Sequence, residues 1–102
     1  NMELEKDLKN KLEGKLFYDV DGLTESVINA QKVIIQDKFG QTDVIIYGKV
    51  LTCKIDSESV SVRASKRYVV RIDCVKELQE IEEEQFGRYV NKFLNNLNKA
   101  LI

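Results

Sequence analysis

One long stretch constrains the fold of this chain more than any other. Residues 43–55, DVIIYGKVLTCKI, are rich in branched and aromatic side chains, as β-strands are, and Gly48 stands alone in the interior of the run. An isolated glycine inside a long strand is typical of a bulge or a sharp bend. We therefore predict a long strand that bends near Gly48.

Shorter strand patterns lie on both sides of this stretch and are separated by brief turns. The predicted strands cover 32–36, 60–64 and 68–75, and the predicted turns cover 38–41, 56–59 and 65–67. Within 60–64 apolar and polar residues alternate, so one side of that strand should be buried. Because strands with such short connections pair antiparallel, the middle of the chain should form an antiparallel meander.

Helical periodicity marks both ends of the chain. Leu4, Leu8 and Leu12 are spaced four residues apart, which predicts a helix over residues 2–13 that Gly14 ends. Residues 76–102 predict a second, longer helix, in which Gly87 favours a kink or a break. Its broad apolar face includes Phe86, Tyr89, Val90, Phe93, Leu97 and Leu101. This face either covers the sheet or pairs with a second chain, and a homodimer is one form of the second alternative.

The segment over residues 15–30 leaves two structures open. Residues 15–20 predict a short strand, and Asp21-Gly22 is a strong signal for a two-residue hairpin turn. Residues 23–30 fit a short helix slightly better than a second strand. The overall prediction is one α+β domain over residues 1–102. It has an N-terminal helix, a bent antiparallel sheet or half barrel of four to six strands, and a long C-terminal helix.

Composition excludes several kinds of chemistry. The chain contains no histidine, which removes the commonest general base and the commonest transition-metal ligand. The two cysteines lack metal-binding spacing and should be reduced core residues. We therefore predict no catalytic residue, no metal site and no cofactor. No apolar run is long enough to span a membrane and no leader precedes the chain, so we expect a cytoplasmic protein that starts at Met2.

The motif Asp19-Val20-Asp21-Gly22 resembles the first motif of haloacid-dehalogenase-type phosphatases. In that family the first aspartate attacks phosphorus and the second handles a proton, which would assign these roles to Asp19 and Asp21. The chain departs from the pattern because Leu23, rather than threonine, follows the glycine. That fold also needs parallel strands with crossover helices, whereas short turns follow residue 31. We therefore interpret the motif as a turn with solvated aspartates.

A cluster of basic residues surrounds one aromatic residue in the middle of the chain. Its members are Arg63, Lys66, Arg67, Tyr68 and Arg71. On a sheet edge such a cluster could hold a phosphate backbone and stack one base, or it could simply be a solvated surface. The net charge of the whole chain is only −1, whereas most nucleic-acid-binding domains are strongly basic.

Residues 33–75 resemble small Sm-like barrels and the YolD-like family. Gly40, Gly48 and Asp56 stand where those patterns place a turn glycine, a strand glycine and an aspartate. The resemblance implies a small bent barrel, but the C-terminal helix is longer than either family requires. A pleckstrin-homology-like half barrel is the alternative, provided that residues 15–30 form a hairpin. Neither resemblance implies a function.

These observations together favour a small soluble domain without catalytic activity. We expect an accessory or regulatory protein of the bacterial or phage kind that acts through a protein partner or through its own homodimer. The alternative is a nucleic-acid-binding small barrel that uses the basic cluster.

Overall fold

A computed structural model describes the backbone of residues 2–101 and the side chains of residues 2–99. Within these residues the protein has two α-helices and five strands. The helices are α1 (Met2–Leu12) and α2 (Glu83–Leu101). The strands are β1 (Leu16–Asp21), β2 (Thr24–Lys38), β3 (Gln41–Ile55), β4 (Val60–Arg71) and β5 (Gln79–Ile81), and a 3₁₀ helix (Ile72–Glu77) joins β4 to β5. The predicted α+β class, with its N-terminal helix, antiparallel sheet and C-terminal helix, is confirmed.

All five strands belong to one antiparallel sheet that is not closed into a barrel. Their order is β4-β3-β2-β1-β5, so β4 and β5 form the two edges. The 3₁₀ helix leads the chain from one edge to the other. The hairpin between β2 and β3 is long, because each strand has 15 residues.

The sheet bends where Gly48 approaches the neighbouring strand. Gly48 lies opposite Ala30, and the pairing register between β2 and β3 shifts immediately after this pair. A Cβ on Gly48 would collide with the carbonyl oxygen of Asn29, so only glycine fits. The carboxylate of Glu13, just after α1, accepts a hydrogen bond of 2.7 Å from the backbone N–H of Val33 beside this shift. The bulge or bend that Gly48 predicts is therefore present as a shift in the pairing register.

Each face of the sheet is covered by a different helix. The face that we call the inner face packs under α1 and the 3₁₀ helix, and its buried residues include Leu8, Leu12, Phe17, Ile28, Val33, Val44, Ile46, Val50 and Val70. The opposite face, the outer face, packs under α2 through Val27, Cys53, Ile81 and Phe93. Burying apolar surface on both faces is what a five-stranded sheet of this size needs for stability.

The structure corrects the expectation of a short helix over residues 23–30. This segment is the first half of β2, and the hairpin loop consists of Gly22 and Leu23, with a φ of +59° at Gly22. Val27 and Ile28 are both fully buried on opposite faces. Because both faces are covered, the apolar residues do not alternate with polar ones, and the strand lacks its usual pattern. The hairpin that the pleckstrin-homology-like alternative requires is present.

Three boundaries near the C-terminus were also predicted wrongly. Residues 65–67 belong to the continuous strand β4 and not to a turn, and β4 ends at Arg71 rather than extending to residue 75. Residues 76–82 contain the end of the 3₁₀ helix and β5, whereas we expected helix. Helix α2 runs through Gly87 without a break.

Neither helix among the described residues combines the length and apolar character that crossing a bilayer requires.

The two cysteines are free thiols on different parts of the structure. Cys53 is buried under α2, and Cys74 lies partly buried in the 3₁₀ helix. Burial raises the pKa of the Cys53 thiol, so the group stays protonated and behaves as a small apolar residue. The prediction of two core cysteines therefore holds for Cys53, whereas Cys74 is only partly buried.

Candidate interaction surface

Helix α2 covers only one half of the outer face. On the other half, residues that pair across β2, β3 and β4 form three rows, because paired residues of neighbouring strands share a face. The rows are Lys32–Tyr47–Arg67, Ile34–Ile45–Val69 and Gln36–Asp43–Arg71. We call this surface the open outer face. Its cationic residues Lys32, Arg67 and Arg71 are exposed, and Val69 between them is 42% exposed.

The structure divides the predicted basic cluster between the two faces of the sheet. Arg67 and Arg71 lie on the open outer face, whereas Arg63 lies on the inner face opposite Thr52. Lys66 falls where the register between β3 and β4 shifts. These cations therefore surround the β4 edge rather than forming one compact patch around a turn.

Tyr68, the aromatic member of the predicted cluster, lies on the inner face and not beside Arg67 and Arg71. Its hydroxyl donates a hydrogen bond of 2.6 Å to the carboxylate of Asp19 in β1, across the inner face. Burial, followed by the hydrogen bond and charge of Asp19, raises the pKa of Tyr68, so the phenol stays protonated and remains the donor. Lys32 and Arg67 instead flank Tyr47, which no local sequence pattern identifies because only the pairing register places it between them.

The contact between Tyr68 and Asp19 also shows how strongly the sheet bends. Two strands separate β4 from β1, so these strands would lie about 14 Å apart in a flat sheet.

Asp19 is part of a strand and accepts a hydrogen bond, which corrects our expectation of a solvated aspartate in a turn. The inner face is polar beyond this contact, and Ser26 and Thr52 are joined there by a hydrogen bond of 2.9 Å between their hydroxyls. The motif that resembles a phosphatase thus serves as sheet structure here.

Most of the predicted helix-interface residues pack inside the molecule. Phe93 is fully buried, and Phe86, Tyr89 and Val90 pack around it against the outer face. The Tyr89 ring stacks on Tyr18 with a centroid separation of 4.2 Å. Leu97 is half-buried, and the side chain of Leu101 lies outside the described residues. Of the two alternatives for this apolar face, the structure shows the one in which it covers the sheet.

The β4 edge is the longest strand edge without a neighbouring strand among the described residues. β4 has 12 residues, and its charged side chains are the cations Arg63, Lys66, Arg67 and Arg71 with no acid among them. The other edge, β5, has only three residues. Long exposed edges are sites where another extended chain can pair, whereas short edges are protected.

An apolar groove of about 440 Å³ lies beside the β4 edge, between the sheet and the first turns of α2. Leu51 and Ala64 line its floor, and Phe86 and Val90 of α2 line its wall. Lys49 and Lys66 also contribute to its lining. The groove and the β4 edge therefore combine apolar surface, positive charge and unpaired backbone in one place.

The described residues contain no cluster of three or more acidic or cysteine side chains that could hold a metal ion. No protein-family model, curated protein or solved structure matches the chain. The resemblance of residues 33–75 to Sm-like and YolD-like barrels therefore stays a prediction.

Proposed function

We propose that this chain is a non-catalytic interaction domain that binds an acidic protein partner at the β4 edge. The observation that supports this proposal is the charge of the edge, since four cations and no acid lie on one long strand that lacks an outer neighbour. Complementary charge brings such partners together quickly and disfavours partners of like charge. The apolar groove beside the edge supplies the surface that holds the partner once it has arrived.

The same charge argues against a homodimer formed at this edge. Two β4 strands paired with each other would place two sets of cations along one seam, and like charges across a strand pair are destabilising. The C-terminal helix offers little to a second copy, because Phe86, Tyr89, Val90 and Phe93 pack on the sheet of the same chain. A different, acidic chain is therefore the partner that the surface fits best.

The test is a selection from a library of random twelve-residue peptides displayed on phage, with the intact protein as bait. We expect the selected peptides to be enriched in Asp and Glu. Their affinity for the protein should fall as the salt concentration rises. In the variant Lys66→Glu/Arg67→Glu the affinity of the selected peptides should fall at least about tenfold, since both cations are exposed near the groove.

The control is the variant Lys6→Glu/Lys11→Glu, which changes the net charge of the protein equally but alters exposed positions on α1. It should bind the acidic peptides as the wild type does. Selection of neutral or basic peptides, or equal weakening in both variants, would show that the β4 edge does not recognise acidic partners.

Nucleic acid is the second candidate partner, and the row Lys32–Tyr47–Arg67 on the open outer face favours it. An aromatic ring between two cations can stack a base while the cations contact phosphates. We expect binding of a mixed-sequence single-stranded oligonucleotide at about 50 mM salt that Tyr47→Ala and Arg67→Glu each weaken. Because counterion release makes such binding strongest at low salt, absence of binding there excludes this candidate.

A further inference from the structure

The geometry points to how the partner binds: we propose that an extended segment of it adds to the sheet as a sixth strand, along Val60–Ala64 of β4. This inference rests on the proposed function, since it assumes an acidic protein partner. Pairing of an extended segment with an exposed strand edge is an established mode of peptide recognition.

The position along β4 follows from the irregular backbone at residues 65–67. The Ser65 hydroxyl donates to the carbonyl of Arg67 at 3.0 Å and accepts from the N–H of Arg67 at 3.2 Å. The register with β3 shifts at the same place. This part of the edge is therefore occupied by its own side chain and locally distorted, as bulges that end strand pairing are. The regular part of the edge beside the groove is Val60–Ala64.

The side chains of Val60–Ala64 determine the pattern that a sixth strand needs. Val60, Val62 and Ala64 lie on the outer face, under the edge of α2, whereas Ser61 and Arg63 lie on the inner face. Residues opposite each other on paired strands share a face. The matching segment therefore alternates apolar residues, which face α2, with acidic residues, which face Arg63.

The groove gives one of these apolar positions a particular role. Ala64 is exposed and lies at the floor of the groove, next to Leu51, Phe86 and Val90. A residue opposite Ala64 on the added strand would have its Cβ about 4.5–5.5 Å from that of Ala64, at the mouth of the groove. Because Ala64 has the smallest side chain in this row, an aliphatic side chain of the partner can enter above it.

The test uses fluorescein-labelled eight-residue peptides with the intact protein and measures binding by anisotropy. The parent peptide alternates valine and glutamate, and the charge control alternates valine and lysine. Two further peptides carry N-methyl groups on all valine nitrogens or on all glutamate nitrogens. In a strand at a sheet edge only every second N–H points to its neighbour. One methylated peptide should therefore lose at least about tenfold in affinity, while the other keeps nearly all of it.

The possible outcomes separate strand addition from the binding of an acidic partner. If both methylated peptides bind equally well or weaken equally, the backbone does not pair, and strand addition is excluded while the acidic partner stands. If no alternating acidic peptide binds and the peptide library also selects no acidic sequences, the proposed function itself fails. Failure of the alternating peptide alone, with other acidic sequences selected, overturns the alternating pattern and hence this inference.

Two variants test the side-chain pattern independently of the backbone. Arg63→Glu should weaken the valine–glutamate peptide and strengthen the valine–lysine peptide, each by about tenfold, because the charge opposite the alternate residues is reversed. Ala64→Phe should weaken the acidic peptide by filling the groove. Ser61→Ala, on the inner face of the same strand segment, is the matched control and should leave binding unchanged. Loss of binding in Arg63→Glu without any gain for the lysine peptide would contradict the assigned register.

Discussion

Glycine has opposite consequences at two positions of this chain. At Gly48 a Cβ would meet the backbone of Asn29, and strand β2 cannot move away without breaking its pairing with β3. At Gly87, in the middle of α2, a Cβ would meet no atom outside the local helix backbone within 4 Å. The bend of the sheet therefore depends on one glycine, whereas the helix only loses stability through the other.

We expect Gly48→Ala to lower the free energy of unfolding by about 2 kcal/mol or more, because the added methyl group forces backbone apart. Gly87→Ala should raise it by up to about 1 kcal/mol, the difference in helix propensity between the two residues. Urea unfolding followed by circular dichroism measures both. Equal and small effects of the two substitutions would contradict the close approach at Gly48.

Phe39 is an unusual residue for the turn that it occupies. It lies with Gly40 at the tip of the β2–β3 hairpin, both with positive φ, and its side chain is 95% exposed. Asn is preferred at this position because it tolerates the left-handed conformation. Phe39→Asn should therefore stabilise the protein by about 1 kcal/mol, measured by urea unfolding. Phe39→Ala should give no such gain, since alanine has the same backbone penalty. An equal gain from both would show that exposure of the ring, rather than the turn, is the cost.

At the scale of elements, α2 packs on the sheet around one fully buried ring, and a polar contact lies beside this apolar cluster. Phe93 is fully buried in the contact, while its neighbour Leu94 is 45% exposed. Phe93→Asp buries a charge without a partner and should unfold the domain, with a loss of more than about 4 kcal/mol. Leu94→Asp should change stability by about 1 kcal/mol or less. Thermal unfolding and sedimentation of both variants separate a core role from an interface. A folded but dissociated Phe93→Asp variant would show instead that this helix joins two chains.

The polar contact of α2 with the sheet makes stability depend on pH. Glu25 of β2 accepts hydrogen bonds from the Tyr18 hydroxyl at 2.6 Å and from the Lys92 ammonium at 3.0 Å. Burial alone would raise the pKa of Glu25, but these two donors outweigh it and lower the pKa. The stabilisation is therefore present above the ordinary glutamate pKa of 4.5 and is lost as the pH falls through the lowered value.

Glu25→Gln should consequently be less stable than the wild type by about 1 kcal/mol at pH 7. The difference should shrink as the pH falls below 4.5, because the wild-type carboxylate then also loses its charge. Urea unfolding at several pH values measures it. Glu58→Gln, in the exposed turn between β3 and β4, should show no such pH-dependent difference. A difference for Glu25→Gln that is the same at every pH would exclude the ion pair with Lys92 as its cause.

The elements that the sequence predicts correctly are those with a strong local pattern. Leu8 and Leu12 mark α1, Gly14 ends it with a φ of +80°, and residues 43–55 form nearly all of β3. β5 has only three residues, which is too short for any periodicity, and it exists because Ile81 pairs with Leu16 of β1. Local sequence patterns do not specify a pairing between residues that lie so far apart in the chain.

The candidate site was predictable in its residues and not in its arrangement. The cations of β4 are recognisable from the sequence, because a basic run is visible there. Their aromatic neighbour is not, since the irregularity near Ser65 turns Tyr68 to the inner face and the pairing register brings Tyr47 between Lys32 and Arg67 instead. The groove depends on the packing of Phe86 and Val90 against β3 and β4, which no local pattern specifies.

At the scale of the whole molecule, an open sheet must keep its edges from pairing with other copies. Here β5 is short, and β4 is long but positively charged. If charge is what keeps the β4 edge free, removing it should allow self-association. Arg63→Glu/Arg67→Glu leaves two cations and two acids on β4, so that two copies can pair with opposite charges across the seam.

We expect the wild type to sediment as a monomer at about 100 μM and the variant Arg63→Glu/Arg67→Glu to form dimers, measured by analytical ultracentrifugation. The control Lys6→Glu/Lys11→Glu gives the protein the same more negative net charge, which by itself opposes association through general repulsion, and it should stay monomeric. Salt at about 1 M should move the wild type towards the dimer by screening its edge charges. If the edge variant also stays monomeric, repulsion between the edge charges is not what keeps two β4 strands from pairing.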